Sequence, residues 1–81
     1  YHEQKQKQRE ERKLLREIER VEKEIEAAET NLAELEEQMT DPDVLQDHEK
    51  LLALSEQADA LREQIATLYT DWETLQTKLP D

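Results

Sequence analysis

Six basic side chains crowd the first sixteen residues. Lys5, Lys7, Arg9, Arg12, Lys13 and Arg16 stand there against Glu3, Glu10 and Glu11, a net of +3, while the rest of the 81-residue chain carries −14. Clustered cations of this kind neutralise phosphates and release their counterions, and a strongly acidic remainder would repel the same polyanion. Two aromatic residues near the other end, Tyr69 and Trp72, have the chemistry to stack on a base or to receive a cation on the ring face. These eight residues are the candidate nucleic-acid-binding set.

Other chemistries find little support. The chain has no glycine, and the loops that cradle phosphates or turn around dinucleotides need glycine to bring backbone amides close to the anion. His2 and His48 are far apart in sequence, and neither belongs to a spacing that would hold zinc. Of the 81 residues 22 are acidic, so paired carboxylates arise along any helix face as solvated charge rather than as acid–base pairs. The chain is expected to hold no catalytic residue, cofactor or metal and not to be an enzyme.

Two apolar stripes must position these groups. Leu14, Ile18, Val21, Ile25, Ala28, Leu32, Leu35 and Met39 alternate steps of four and three, the 3.5-residue period of a coiled-coil seam. Leu51, Leu54, Ala58, Leu61, Ile65, Leu68, Trp72, Leu75 and Leu79 do the same. Between the stripes stands Thr40-Asp41-Pro42-Asp43, where an acidic side chain can cap a new helix and a proline fits its first turn. The pattern predicts an all-α fold, a two-helix antiparallel coiled-coil hairpin forming one domain over residues 1–81. Helix 1 is expected over about 5–39, the turn over about 40–43, and helix 2 over about 44–78 with a bend near 47.

A turn at residues 40–43 sets the facing pairs. Met39 would meet Val44, Leu32 Leu51, Ala28 Leu54, Ile25 Ala58, Val21 Leu61, Ile18 Ile65 and Leu14 Leu68, position numbers adding to 82 or 83 throughout. Each alanine would face a large side chain, which keeps the backbones evenly spaced. Extended backwards, the seam of helix 1 passes through Glu11, Lys7 and Gln4. Trp72, Leu75 and Leu79 would then face polar partners, with Lys7, Arg9 and Arg12 beside the indole. At the tip Asp47 is a second capping residue, His48 falls on the seam, and Leu45 and Leu52 are expected to pack over the bend. Gln, Glu, Lys and Arg favour helix at the start of the chain, but no apolar stripe anchors them, and fraying is expected before about residue 10.

Charged residues make up 41% of the chain and apolar ones 35%, the balance of a solvated helix pair rather than a globular core. One seam between two helices stabilises so small a unit only marginally, which favours a homodimer or attachment to a larger protein. The chain lacks an initiator methionine and is expected to be a domain of a longer protein. Without cysteine, signal peptide or membrane-length apolar run, it is expected in the cytoplasm.

The run Asp41-Pro42-Asp43-Val44-Leu45-Gln46-Asp47-His48-Glu49-Lys50-Leu51, with Leu68-Tyr69-Thr70-Asp71-Trp72-Glu73-Thr74-Leu75 after it, resembles the C-terminal coiled-coil domain of ABC-F ATPases. The resemblance extends from about Lys5 to Leu79. It implies a soluble, cytoplasmic parent with two ATP-binding cassettes and no membrane domain, acting on the ribosome, with ATP and Mg held in those cassettes. In that family the hairpin is linked to binding DNA or ribosomal RNA.

Two functions follow as expectations. In the first, the basic segment with Tyr69 and Trp72 engages rRNA, tRNA or DNA and helps place the parent ATPase on the ribosome. In the second, the hairpin is a structural spacer or a protein-docking and dimerisation arm that packs through Trp72, Leu75 and Leu79 on its own cassettes or on a second copy.

Overall fold

The computed structural model describes residues 2–80. Three helices follow in order, α1 (His2–Gln38), α2 (Pro42–Gln46) and α3 (His48–Thr77), in a rod of 67 × 16 × 14 Å. The all-α hairpin is as the heptads predict: α1 packs along α3, and α2 packs on α3.

The seam buries Ile18, Val21, Ile25 and Ala28 of α1 and Ala58 and Leu68 of α3. Leu61, Ile65, Trp72 and Leu75 pack against the central cluster of Val21, Ile25, Ala28 and Leu68. Across the pair, the Tyr69 hydroxyl donates to Glu29 Oε1 at 3.2 Å. Ile25 shares a groove with Trp72, and Val21 shares one with Leu75. Facing positions therefore add to 96 or 97: Val21 with Leu75, Ile25 with Trp72, Ala28 with Leu68, and by continuation Leu35 with Leu61 and Met39 with Ala58.

This corrects the register expected from the turn at 40–43. The helices are slid by two heptads, about 21 Å at 1.5 Å per residue. A heptad shift returns every seam residue to the seam, so both registers place each alanine against a large side chain. The corner decides between them. Asp41 caps α2 by accepting the Asp43 amide at 2.9 Å, with Pro42 in the first turn. Asp47 is extended (φ −104°, ψ 96°), closes α2 through its amide to the Val44 carbonyl, and caps α3 by accepting the Lys50 amide at 3.2 Å. The chain thus bends at Asp41 and reverses at Asp47, and α2 extends the first limb over the opening turns of α3. A reversal at Asp47–His48 sets the seam's midpoint there.

Two other expectations change. Trp72 and Leu75 are partly buried on the α1 seam rather than facing Glu11 and Lys7. Leu45 and Leu52 stay 56% and 52% exposed at the tip, because α2 presents Val44, not Leu45, to α3. The first helix, α1, is helical from His2; before Ile18 it contains no proline, glycine or β-branched residue, so high intrinsic propensity runs unbroken along it.

Candidate nucleic-acid interface

The two-heptad slide separates the eight candidate residues into two places. Lys5, Lys7, Arg9, Arg12, Lys13 and Arg16 lie on the first four turns of α1, with residues 3–13 exposed throughout. Most of this stretch runs past the end of α3, forming a single-helix basic arm. The chain's last described residues lie beside it, where Lys78 and Pro80 border Lys7, Glu10, Glu11 and Leu14. Arg16 Nε donates to the Arg12 backbone carbonyl at 3.5 Å, which lays the Arg16 side chain back along the helix.

Tyr69 and Trp72 sit elsewhere, at the level of Ile25 and Glu29. Counted along α1, that is about 18 Å from Lys13 and about 30 Å from Lys5. The structure does not bring the aromatics to the basic arm, and a single site of cations with a stacking platform does not form.

The aromatics instead line an acidic groove of about 550 Å³, bordered by Glu22, Ile25, Glu26, Glu29, Thr30, Ala33, Tyr69 and Trp72. Ile25 forms its floor, three carboxylates line one bank, and the two rings line the other. The Tyr69 hydroxyl is held above its ordinary pKa of 10.0, first by its hydrogen bond to Glu29, then by desolvation and by the Glu29 charge. Such a groove attracts a cation carried on an apolar stem. Sequence reading missed it, although Glu22, Glu26 and Glu29 share one helix face, because only the register places Tyr69 and Trp72 opposite them.

His48 is the exposed first residue of α3, at the point of reversal rather than inside the seam. Among the described residues no group of three or more His, Cys, Asp and Glu side chains could hold a metal ion, and no helix is long and apolar enough to cross a membrane.

The basic arm, the acidic shaft and the doubly capped corner together make a helical arm. The chain belongs to the ABC transporter C-terminal domain family, whose family model matches residues 3–77. No curated protein and no solved structure matches it.

Proposed function

We propose that this chain is the C-terminal coiled-coil arm of a cytoplasmic ABC-F ATPase and that it binds nucleic acid, ribosomal RNA, tRNA or DNA, through the basic arm of α1. The observation that carries this reading is the projection of Lys5, Lys7, Arg9, Arg12 and Lys13, all exposed, past the end of α3. Phosphates can approach the arm without meeting the acidic shaft, whose repulsion orients the rod end-on to a polyanion. ATP and Mg belong to the cassettes of the parent protein, and the hairpin places that ATPase on the ribosome. Tyr69 and Trp72 take no part in the contact, being too far from the arm to stack on a base bound there.

The test is anisotropy of labelled single-stranded RNA, single-stranded DNA and duplex DNA, titrated with the chain at low and physiological salt. Binding should weaken steeply as salt rises, by roughly 0.7 log unit per log unit of salt for each single-strand phosphate contacted. Changing Lys5, Lys7, Arg9, Arg12 and Lys13 together to Glu should abolish it. Unchanged affinity in that variant overturns the reading.

Leu45 and Leu52, more than half exposed at the tip, favour a second reading, a spacer that docks on protein. Its contact lies at the corner and not, as the unslid register suggested, at Trp72, Leu75 and Leu79.

A further inference from the structure

The acidic groove and the basic arm lie on the same face of one helix. Stepping back along α1 by whole heptads from the groove positions Glu22, Glu26, Glu29 and Thr30 leads to Leu15, Glu19 and Lys23, then to Gln8, Arg12 and Arg16, then to Lys5 and Arg9. Of the three acidic residues of the arm, Glu3 and Glu10 fall off this face and Glu11 lies at its seam edge, two heptads before Ile25. One continuous face therefore reads Lys5, Arg9, Arg12, Arg16, then Leu15, then Glu19, Glu22, Glu26, Glu29, with Lys23, at the same heptad position as Arg9 and Arg16, the basic side chain in its acidic half. Leu15, 48% exposed, is the large apolar side chain at the boundary between the two signs.

Such a face is complementary to itself in reverse. We propose that two copies of this chain pair antiparallel along it, the basic arm of each lying in the Tyr69–Trp72 groove of the other. The lengths agree. Lys5 to Arg16 spans about 16 Å and Glu19 to Glu29 about 15 Å at 1.5 Å per residue. With the twofold axis near residue 17, Arg12 lies on Glu22, Arg9 on Glu26 and Lys5 on Glu29. The two Leu15 side chains then lie about 6 Å apart along the axis direction, at the centre. An arm cannot reach its own groove, because the same unbroken helix holds them about 25 Å apart; the occupant has to come from a second copy. Each groove receives a cation on an aliphatic stem, with Trp72 and the Tyr69 ring on one side and carboxylates on the other. The pairing is isologous, so it closes at two copies. It uses the arm assigned above to nucleic acid, and the two occupants compete for it.

Sedimentation equilibrium at low salt should show the weight-average mass rising towards two chains with concentration, and returning to one chain as salt screens the exposed pairs. A charge swap tests the partner. Arg9→Glu with Arg12→Glu sets two carboxylates of the arm against Glu26 and Glu22, and Glu22→Lys with Glu26→Lys sets two ammonium groups of the groove against Arg12 and Arg9. Each should be monomeric alone, and an equimolar mixture should restore the dimer, with both grooves occupied. Helical circular dichroism of each variant checks folding, and Arg9→Gln with Arg12→Gln, which should weaken association without repulsion, supplies a milder pair. A wild-type monomer at low salt, a variant that still pairs with itself, or a mixture that stays monomeric each overturns the proposal. The basic-groove variant also separates the two roles of the arm: it should keep nucleic-acid binding while losing self-association. Nucleic-acid binding that fails in a chain that still dimerises overturns the binding reading and leaves this one standing.

Discussion

Ile25 is the residue at which the register can be tested by energy. It is buried at the middle of the seam, in the cluster with Val21, Ala28 and Leu68, with Trp72 packed on it. Truncating a buried isoleucine costs about 2–5 kcal/mol, the transfer free energy of the lost methyls plus the cavity they leave. A two-stranded seam admits water more readily than a globular core, which places Ile25→Ala near the lower end, at about 2–3 kcal/mol. For a domain of this size each kcal/mol moves Tm by about 4–8 °C, so the variant should melt roughly 10–20 °C lower. Thermal melts by circular dichroism at high salt and fixed concentration keep self-association out of the comparison. The decisive quantity is coupling. Ile25→Ala and Trp72→Ala remove two sides of one contact and should be non-additive by about 1 kcal/mol. Val21→Ala and Leu61→Ala are about 21 Å apart in the observed register, and their effects should add to within about 0.5 kcal/mol. If Val21 couples to Leu61 while Ile25 and Trp72 act independently, the helices are paired two heptads away from the register described, and the separation of Trp72 from the basic arm falls with it.

Two further outcomes follow from the corner and from the groove. Asp47→Ala removes the side-chain acceptor of the Lys50 amide and should lower stability by about 1 kcal/mol, whereas Asp47→Asn keeps an acceptor and should be close to neutral; equal melts for wild type and the alanine variant would refute the capping role. In an alkaline tyrosinate titration, Tyr69 should ionise later than an ordinary tyrosine, and Glu29→Gln should abolish the delay. The neutral phenol is the form that donates to Glu29, so its contribution to stability is complete below the ordinary tyrosine pKa and is lost as pH rises through the raised one. A titration that Glu29→Gln leaves unchanged would refute this.

Much of the fold could be read from the heptads, because a 3.5-residue period admits few structures other than a coiled coil, and the corner chemistry of Asp41, Pro42 and Asp47 is local. The register could not be read, since periodicity specifies a seam only to within whole heptads. Val21 faces Leu61 or Leu75 equally well by size and polarity. The choice depended on whether the chain reverses at Asp41 or Asp47, and both are competent caps. The candidate site inherited that ambiguity. The basic arm was legible as composition, and it remains one contiguous element because it lies on one helix. The joining of Trp72 to Lys7, Arg9 and Arg12 depended on register and fails with it, and the acidic groove opposite Tyr69 was hidden for the same reason.

The five-residue helix at the corner acts as a ruler. Because it carries the first limb onward before the chain turns back, the 67 Å rod is longer than α1 alone, which at 37 residues spans about 55 Å. A heptad inserted between Asp41 and Asp47 would let the same two seams re-engage one repeat along, changing the overall reach by a fixed step while every buried residue kept a partner of its own kind. Span in this hairpin can therefore change in discrete notches set at its tip, with no redesign of the shaft.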